Sequence, residues 1–348
     1  MLPLFISATS EMKDKHIKTK TINKEFKVNS NATLRVNNSY GNIDVVTWEE
    51  NRIVFEITIT TSGNDEEKVI KKLNDIDVKF STSSDWVSAE TQFDKNNSKS
   101  WWNWGGKNNV NMKINYIVKI PMTNHIKINN DYGNISVEKL EGKAEINCDY
   151  GKITTKELMA DGNILNFDYT NGCYFEYIKS GKINADYSSY TVSKSQNLNI
   201  NADYTNSKIE IVEDLNYNCD YGSIKVDKAN NVTGNGDYLT TEIGDVYKNV
   251  SIKADYGSIK INRMNDNAGN VIIKSDYVGI KIGYASGYNF NFDIKLEYAS
   301  FNNDNDLNIT KKIVESNDKY YSGYRGNKST NNTISISSDY GSLTLFKN

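Results

Sequence analysis

Proline, histidine, cysteine and arginine are all scarce in this 348-residue chain: two prolines, two histidines, three cysteines, and arginine only as Arg35, Arg52, Arg263 and Arg325. So little proline excludes collagen-like and Pro/Gly low-complexity chains, and it leaves nearly every residue with a backbone donor. Cys148, Cys173 and Cys219 are too few and too widely spaced for a disulfide scaffold or a paired-cysteine metal site. His16 falls in a loose N-terminal stretch and His125 near the cap boundary, so a Ser-His-Asp triad or a histidine-rich metal centre is hard to assemble. No run approaches the roughly 18 uncharged apolar residues of a membrane-spanning helix. With 41 Lys+Arg against 44 Asp+Glu, a net charge of −3, there is no basic footprint for nucleic acid or anionic membrane. A dinucleotide fingerprint, a P-loop and a nucleophile elbow are likewise missing from the sequence.

What is present is polar yet aromatic. Hydrophobic residues make up 38%, mean hydropathy is −0.62, and aromatic residues make up 11%, 23 of them tyrosine. The aromatic content separates the chain from disorder, while the shortage of aliphatic bulk implies a thin core. Intact backbone donors around a thin core favour an extended, hydrogen-bond-rich β architecture.

One dipeptide organises the chain. Asp131-Tyr132, Asp149-Tyr150, Asp168-Tyr169, Asp186-Tyr187, Asp203-Tyr204, Asp220-Tyr221, Asp237-Tyr238, Asp255-Tyr256 and Asp276-Tyr277 recur at intervals of about 18 residues, a period typical of repeat architectures. Glu297-Tyr298 continues the series, Asp339-Tyr340 ends it after one degenerate unit, and an outlying copy surrounds Tyr40-Gly41. Side chains alternate along a strand, so parity assigns each position a face. Ile146, Ile183 and Ile200 stand four before a Tyr and small residues such as Cys148, Ala185 and Ala202 two before it. These share the Tyr parity and are expected to point inward with the ring. The intervening Asn147, Asn166, Asn184 and the Asp point outward. Beyond Tyr, as in Gly222-Ser223-Ile224 and Gly257-Ser258-Ile259, the parity shifts by one, as at a corner. Strand, corner, strand in about 18 residues is one coil of a parallel β-solenoid, and about eleven coils make a rod roughly 50 Å long. Cys148 and Cys219 fall in the small column about 19 Å apart, beyond the roughly 7 Å reach of a disulfide, and are expected to be free thiols.

The first third reads differently. Strands are expected around Tyr40, at Arg52 to Thr60, near Asp77 to Ser81, Asp85 to Gln92 and Val110 to Ile120. One short helix follows Gly63, with Asn64 or Asp65 as N-cap and Val69, Ile70 and Leu73 on one face. The expected division is a signal remnant or loose N-terminal stretch over 1–19, an α+β cap merging into the solenoid over 20–128, and the solenoid over 129–348, with an irregular loop at about 302–328. The opening Met1 to Ser10 is apolar and then small before Glu11, like the end of a secretory signal, so export is expected.

Three features invite a chemical reading. A column of aspartates could line up hard cations, but Asp before a turn also accepts backbone N–H groups in an Asx-type turn, the structural reading preferred here. The tyrosines are read as a packed column and the asparagines as an amide ladder. Trp101, Trp102 and Trp104 are expected at a polar hairpin tip, where they either pack back on the cap or meet an external partner, and are the candidate ligand-binding residues, for a glycan, a membrane interface or a protein. No catalytic residue, metal or cofactor is assigned. A carboxylate-only glycosidase is disfavoured because the repeat itself explains the periodic carboxylates.

The Asp-Tyr-Gly-x-Ile units, preceded by Ile-Asn-Ala/Cys, resemble a family of bacterial putative adhesins of unknown function, related to autotransporter-adhesin-like heads, over most of the chain from about Lys20. The resemblance implies a right-handed β-solenoid, export, and no established catalytic residues. The function it suggests is a non-enzymatic envelope protein, periplasmic, outer-membrane-associated or on the cell surface, acting as an adhesin or interaction scaffold. Its partner would be an unidentified envelope protein or glycan. The alternative is a polysaccharide-binding or polysaccharide-acting protein using a solenoid face and the Trp loop.

Overall fold

Because like residues recur every 17 to 21 positions, each coil can lay closely similar chemistry on its neighbour, and the strands pair accordingly. In the computed structural model, which describes residues 15–93 and 110–348, Ala144–Asp149 pairs in parallel with His125–Asp131 on one side and Asn163–Asp168 on the other. Asn stacks on Asn and Asp on Asp. The same register continues through Cys173–Asp186, Ser189–Asp203, Asn206–Asp220 and Gly222–Asp237. The chain is a β-solenoid with, among the described residues, 25 strands and one helix. Its interior is a column of Ile146, Leu165, Ile183 and Ile200, flanked by small residues such as Cys148, Ala185 and Ala202, all buried.

Both ends of the rod are stitched rather than simply stopped. Thr33–Ser39 and Ile43–Trp48, the coil around Tyr40, lie between the coil at 125–137 and the strands Trp86–Phe93 and Asn111–Pro121. The strands at 86–121 lead directly into residue 125, yet the earlier coil sits between them. Beyond them Arg52–Gly63 runs antiparallel between His16–Lys27 and Asn111–Pro121, and Ile76–Thr82 pairs with Trp86–Phe93. The helix Glu66–Asp75 covers this end. Asp65 caps it, its carboxylate accepting the Lys68 N–H at 3.2 Å, with Glu66 and Glu67 in the first turn. Val69 is buried and Leu73 partly so, whereas Ile70, expected on the same face, is exposed.

The far end repeats the device. Thr333–Asp339 pairs with Val271–Tyr284 on one side and Phe290–Glu297 on the other, and Ser342–Lys347 lies between Val271–Tyr284 and Ser300–Asn303. The series therefore does not end at Tyr340 after a degenerate unit: the coil of Tyr340 sits between those of Tyr277 and Tyr298. Nor is 302–328 an irregular loop. Asn308–Glu315 and Asp318–Arg325 form a hairpin through Ser316-Asn317, with Ser316 at φ 53°, and the second strand pairs antiparallel with Phe290–Glu297. Arg325 pins it: 7% exposed, its Nη1 donates at 2.8 Å to the carbonyls of Ser286 and Tyr288, and the guanidinium lies over the Tyr284 ring.

Candidate functional site

The tyrosines point out of the rod, not into it. In all twelve repeats the Tyr backbone is left-handed, with φ between 49° and 64°. Alternation of faces holds only along extended backbone, so the inward parity of the preceding Ile and small residue does not carry across this residue. Apart from the half-buried Tyr40, these side chains are 44–53% exposed. Each ring stacks on the next at centroid separations of 4.8–5.2 Å and interplanar angles of 1–8°, in the unbroken spatial order Tyr40, Tyr132 and onward to Tyr277, Tyr340, Tyr298. The spacing is the solenoid rise, and it falls in the favourable range for offset aromatic pairs. Glycine often follows because the chain turns against the coil below: a Cβ on Gly151 would come within 2.0 Å of the Gly133 carbonyl oxygen.

Next to the ribbon runs the carboxylate row. The N–H of Asp168 donates to Asp149 Oδ1 at 3.2 Å, that of Asp186 to Asp168 Oδ1 at 2.9 Å, and that of Asp237 to Asp220 Oδ1 at 2.8 Å. The expected Asx turn within one corner is thus replaced by a bond between coils, while from Tyr40 to Tyr238 each repeat Tyr N–H donates to the Asp carbonyl of the next coil, that of Tyr340 to the Glu297 carbonyl and that of Tyr298 to the Asn317 carbonyl. Burial, followed for Asp149 and Asp168 by neighbouring carboxylates, holds Asp131, Asp149 and Asp168 above the ordinary aspartate range. Two residues further back lies the amide ladder: Asn147 donates to Asn129, Asn166 to Asn147 and Asn184 to Asn166, each at 2.6 Å.

Other predicted features resolve as follows. Trp101, Trp102 and Trp104 lie outside the described residues. Cys148, Cys173 and Cys219 are buried free thiols, and burial pushes Cys148 and Cys219 up to about 12. His125 is held structurally, its Nδ1 accepting the Lys143 N–H at 2.8 Å. Sequence reading missed a buried polar chain under the first coils. There Asn38 Nδ2 donates to Asn130 Oδ1 at 3.0 Å, and the Thr91 hydroxyl donates to Asn38 Oδ1 at 2.8 Å and contacts the Tyr116 hydroxyl at 2.7 Å. The signal for it was asparagine where the repeat otherwise has small residues.

The ribbon, row and ladder make one face of hydrogen-bonding groups edged by phenols. Stacking covers the ring faces, so a ligand meets their edges and hydroxyls rather than a flat aromatic platform.

No family model matches the chain, and no curated protein matches it. Among solved structures the chain is similar to a "putative cell adhesion protein" from Clostridium sporogenes, at 12% identity and a TM-score of 0.19, covering 95% of this chain and 100% of that one. It is also similar to a "putative adhesin" from Bacteroides fragilis, at 12% identity and a TM-score of 0.26, with 94% and 97% covered. A third, a "putative adhesin" from Parabacteroides distasonis, has 8% identity and a TM-score of 0.33, with 94% and 97% covered.

Proposed function

We propose that the chain is a non-enzymatic, exported interaction protein whose rod presents a repetitive face to an envelope partner, as an adhesin or scaffold. The observation that carries this is the sameness of the carboxylates. Adjacent aspartates stand one coil apart, a spacing that would suit a retaining glycosidase. Such a pair, however, needs one acid and one nucleophile in contrasting environments. Here Asp131, Asp149 and Asp168 are displaced in the same direction, and most of the row is held by the same inter-coil bond. The row supports a regular surface rather than a reaction centre.

A polysaccharide-binding role is the second reading. It is favoured by a shallow trough of about 460 Å³ whose hydrogen-bonding lining includes Asn199, Asn201, Asn216, Asn218 and Asn235, with Lys253 the one charged residue among them. Capture from envelope extracts, run beside a glycan array, separates the two. The scaffold reading expects a saturable protein partner and recovery of the chain outside the cytoplasm on fractionation. A glycan bound without a protein partner favours the second reading, and release of reducing ends from a bound glycan overturns the non-enzymatic assignment.

A further inference from the structure

The outward face of each coil carries two chemically opposite rows. Three residues before the tyrosine stands a donor, from Asn37 through the asparagines to Lys253, Lys274 and Lys295, with Ser337 the exception. One residue before it stands an acceptor, from Asp131 to Asp339 and Glu297, with Ser39 the exception. Both rows keep spare capacity. Asn147 and Asn166 each use one N–H and one lone pair on their ladder neighbours and retain another of each. The aspartates' second carboxylate oxygens are outside the inter-coil bonds, and among the described residues no ion pair engages Lys253, Lys274 or Lys295.

The two rows lie about 6.6 Å apart, two residues along each strand. They follow the tyrosine stack coil by coil, at 4.8–5.2 Å per step. A two-fold axis parallel to the rod and midway between the rows lays donors over acceptors, coil on coil. Lys253, Lys274 and Lys295 then face Asp255, Asp276 and Glu297 of the second copy. An axis across the rod would instead set the donor row on the donor row and the carboxylate row on the carboxylate row. The face measures about 53 Å by about 17 Å, or roughly 900 Å² per copy, against the roughly 800 Å² per partner of a standard stable interface.

We propose that this face joins two copies of the chain side by side, in parallel, as a homodimer. The inference does not rest on the adhesin reading, since a scaffold could equally pair this way, whereas a glycan in the trough of Asn201, Asn218 and Asn235 would compete for the same face.

Light scattering and small-angle X-ray scattering on the full chain at tens of micromolar and low salt should give a dimer with a widened cross-section and the length of one rod. The exposed triple variant Lys253→Asp, Lys274→Asp, Lys295→Asp should weaken dimerisation at least about tenfold, and adding Asp255→Lys, Asp276→Lys and Glu297→Lys to it should restore the affinity. Circular dichroism checks that each variant is folded. A monomer at every concentration, an end-to-end dimer of doubled length, or a triple variant that dimerises unchanged each overturns the proposal. So does a glycan-binding monomer whose glycan competes for this face.

Discussion

Tyrosine is an improbable choice for a left-handed corner, where glycine and asparagine adopt φ near +55° far more readily and a bulky residue costs about 1–3 kcal/mol. The stack offsets that cost. Tyr204 meets Tyr187 and Tyr221 at 4.8 Å each, and an aromatic contact of this kind contributes about 0.5–1.5 kcal/mol beyond area. Tyr204→Ala, which removes both contacts and keeps the strain, should lower stability in chemical denaturation by about 1–3 kcal/mol. Tyr204→Gly should lose less, because it relieves the strain, and Tyr204→Phe should be close to neutral. A Phe variant as unstable as the Ala variant would show that the hydroxyl, not the stack, holds the corner.

The thiols make a second test at this scale. Cys148 and Cys219, buried and pushed up to about 12, favour the protonated state in the fold more than in the unfolded chain. Their contribution is complete below the ordinary thiol range near 9 and is lost as pH rises towards 12. Stability should therefore fall more steeply between pH 8.5 and 10.5 in the natural chain than in Cys148→Ala/Cys219→Ala. Native protein should also leave all three thiols unreacted with a disulfide reagent that titrates them on unfolding. Parallel pH slopes in the two proteins would remove the thiols as the cause.

Elements vary by matched exceptions. In the inward column where neighbouring coils have isoleucine, one coil has Tyr217 and the next has Gly234. A Cβ on Gly234 would lie 2.0 Å from Tyr217 Cζ, so the glycine is the hole for that ring. Gly234→Ala alone should destabilise by about 1–3 kcal/mol through overpacking. Combined with Tyr217→Ile, which restores the default occupant of the column, it should cost much less. The resulting coupling is read from a double-mutant cycle by denaturation. Additive effects would mean that the two side chains do not share the space.

This scale also shows what the sequence could reveal. The coil length, the Ile and small columns and the amide ladder were legible because each rests on local chemistry repeated many times, and the helix cap was narrowed to Asn64 or Asp65 by local chemistry alone. Tyrosine direction was not legible, since parity assumes extended backbone and fails at a positive φ. The hairpin at 308–325 was obscured because its first strand, Asn308–Glu315, is exposed along its whole length and lacks alternation of apolar and polar faces. Its signal was the two-residue turn Ser316-Asn317 between two β-prone runs.

At the scale of the molecule, the order of coils along the rod is not the order in the sequence, and no local pattern could say so. Most coils offer a closely similar edge of a polar donor, a small residue and a carboxylate, so local chemistry does not fix which coil a given coil pairs with. What decides the arrangement is the length of the connections and the special strands at each end. Placing 333–347 between 271–284 and 290–303 satisfies ladder positions on both of its sides. Removing it therefore opens two facing edges in the middle of the rod end, whereas removing an outermost coil opens one, and open edges recruit other strands.

A chain ending at residue 328 should accordingly not behave as the same rod shortened by one coil. We expect it to self-associate through the vacant slot, seen as higher oligomers by size exclusion, with faster proteolysis of residues 290–325. A separate peptide of residues 329–348 should bind the shortened chain and return it to the assembly state of the full one. The clasp is refuted by a shortened chain that keeps the full-length assembly state, resists protease to the same degree and ignores the peptide. In that case the coils at 271–284 and 290–303 would have closed on each other, and the interleaved order would be a preference of the sequence rather than a requirement of the fold.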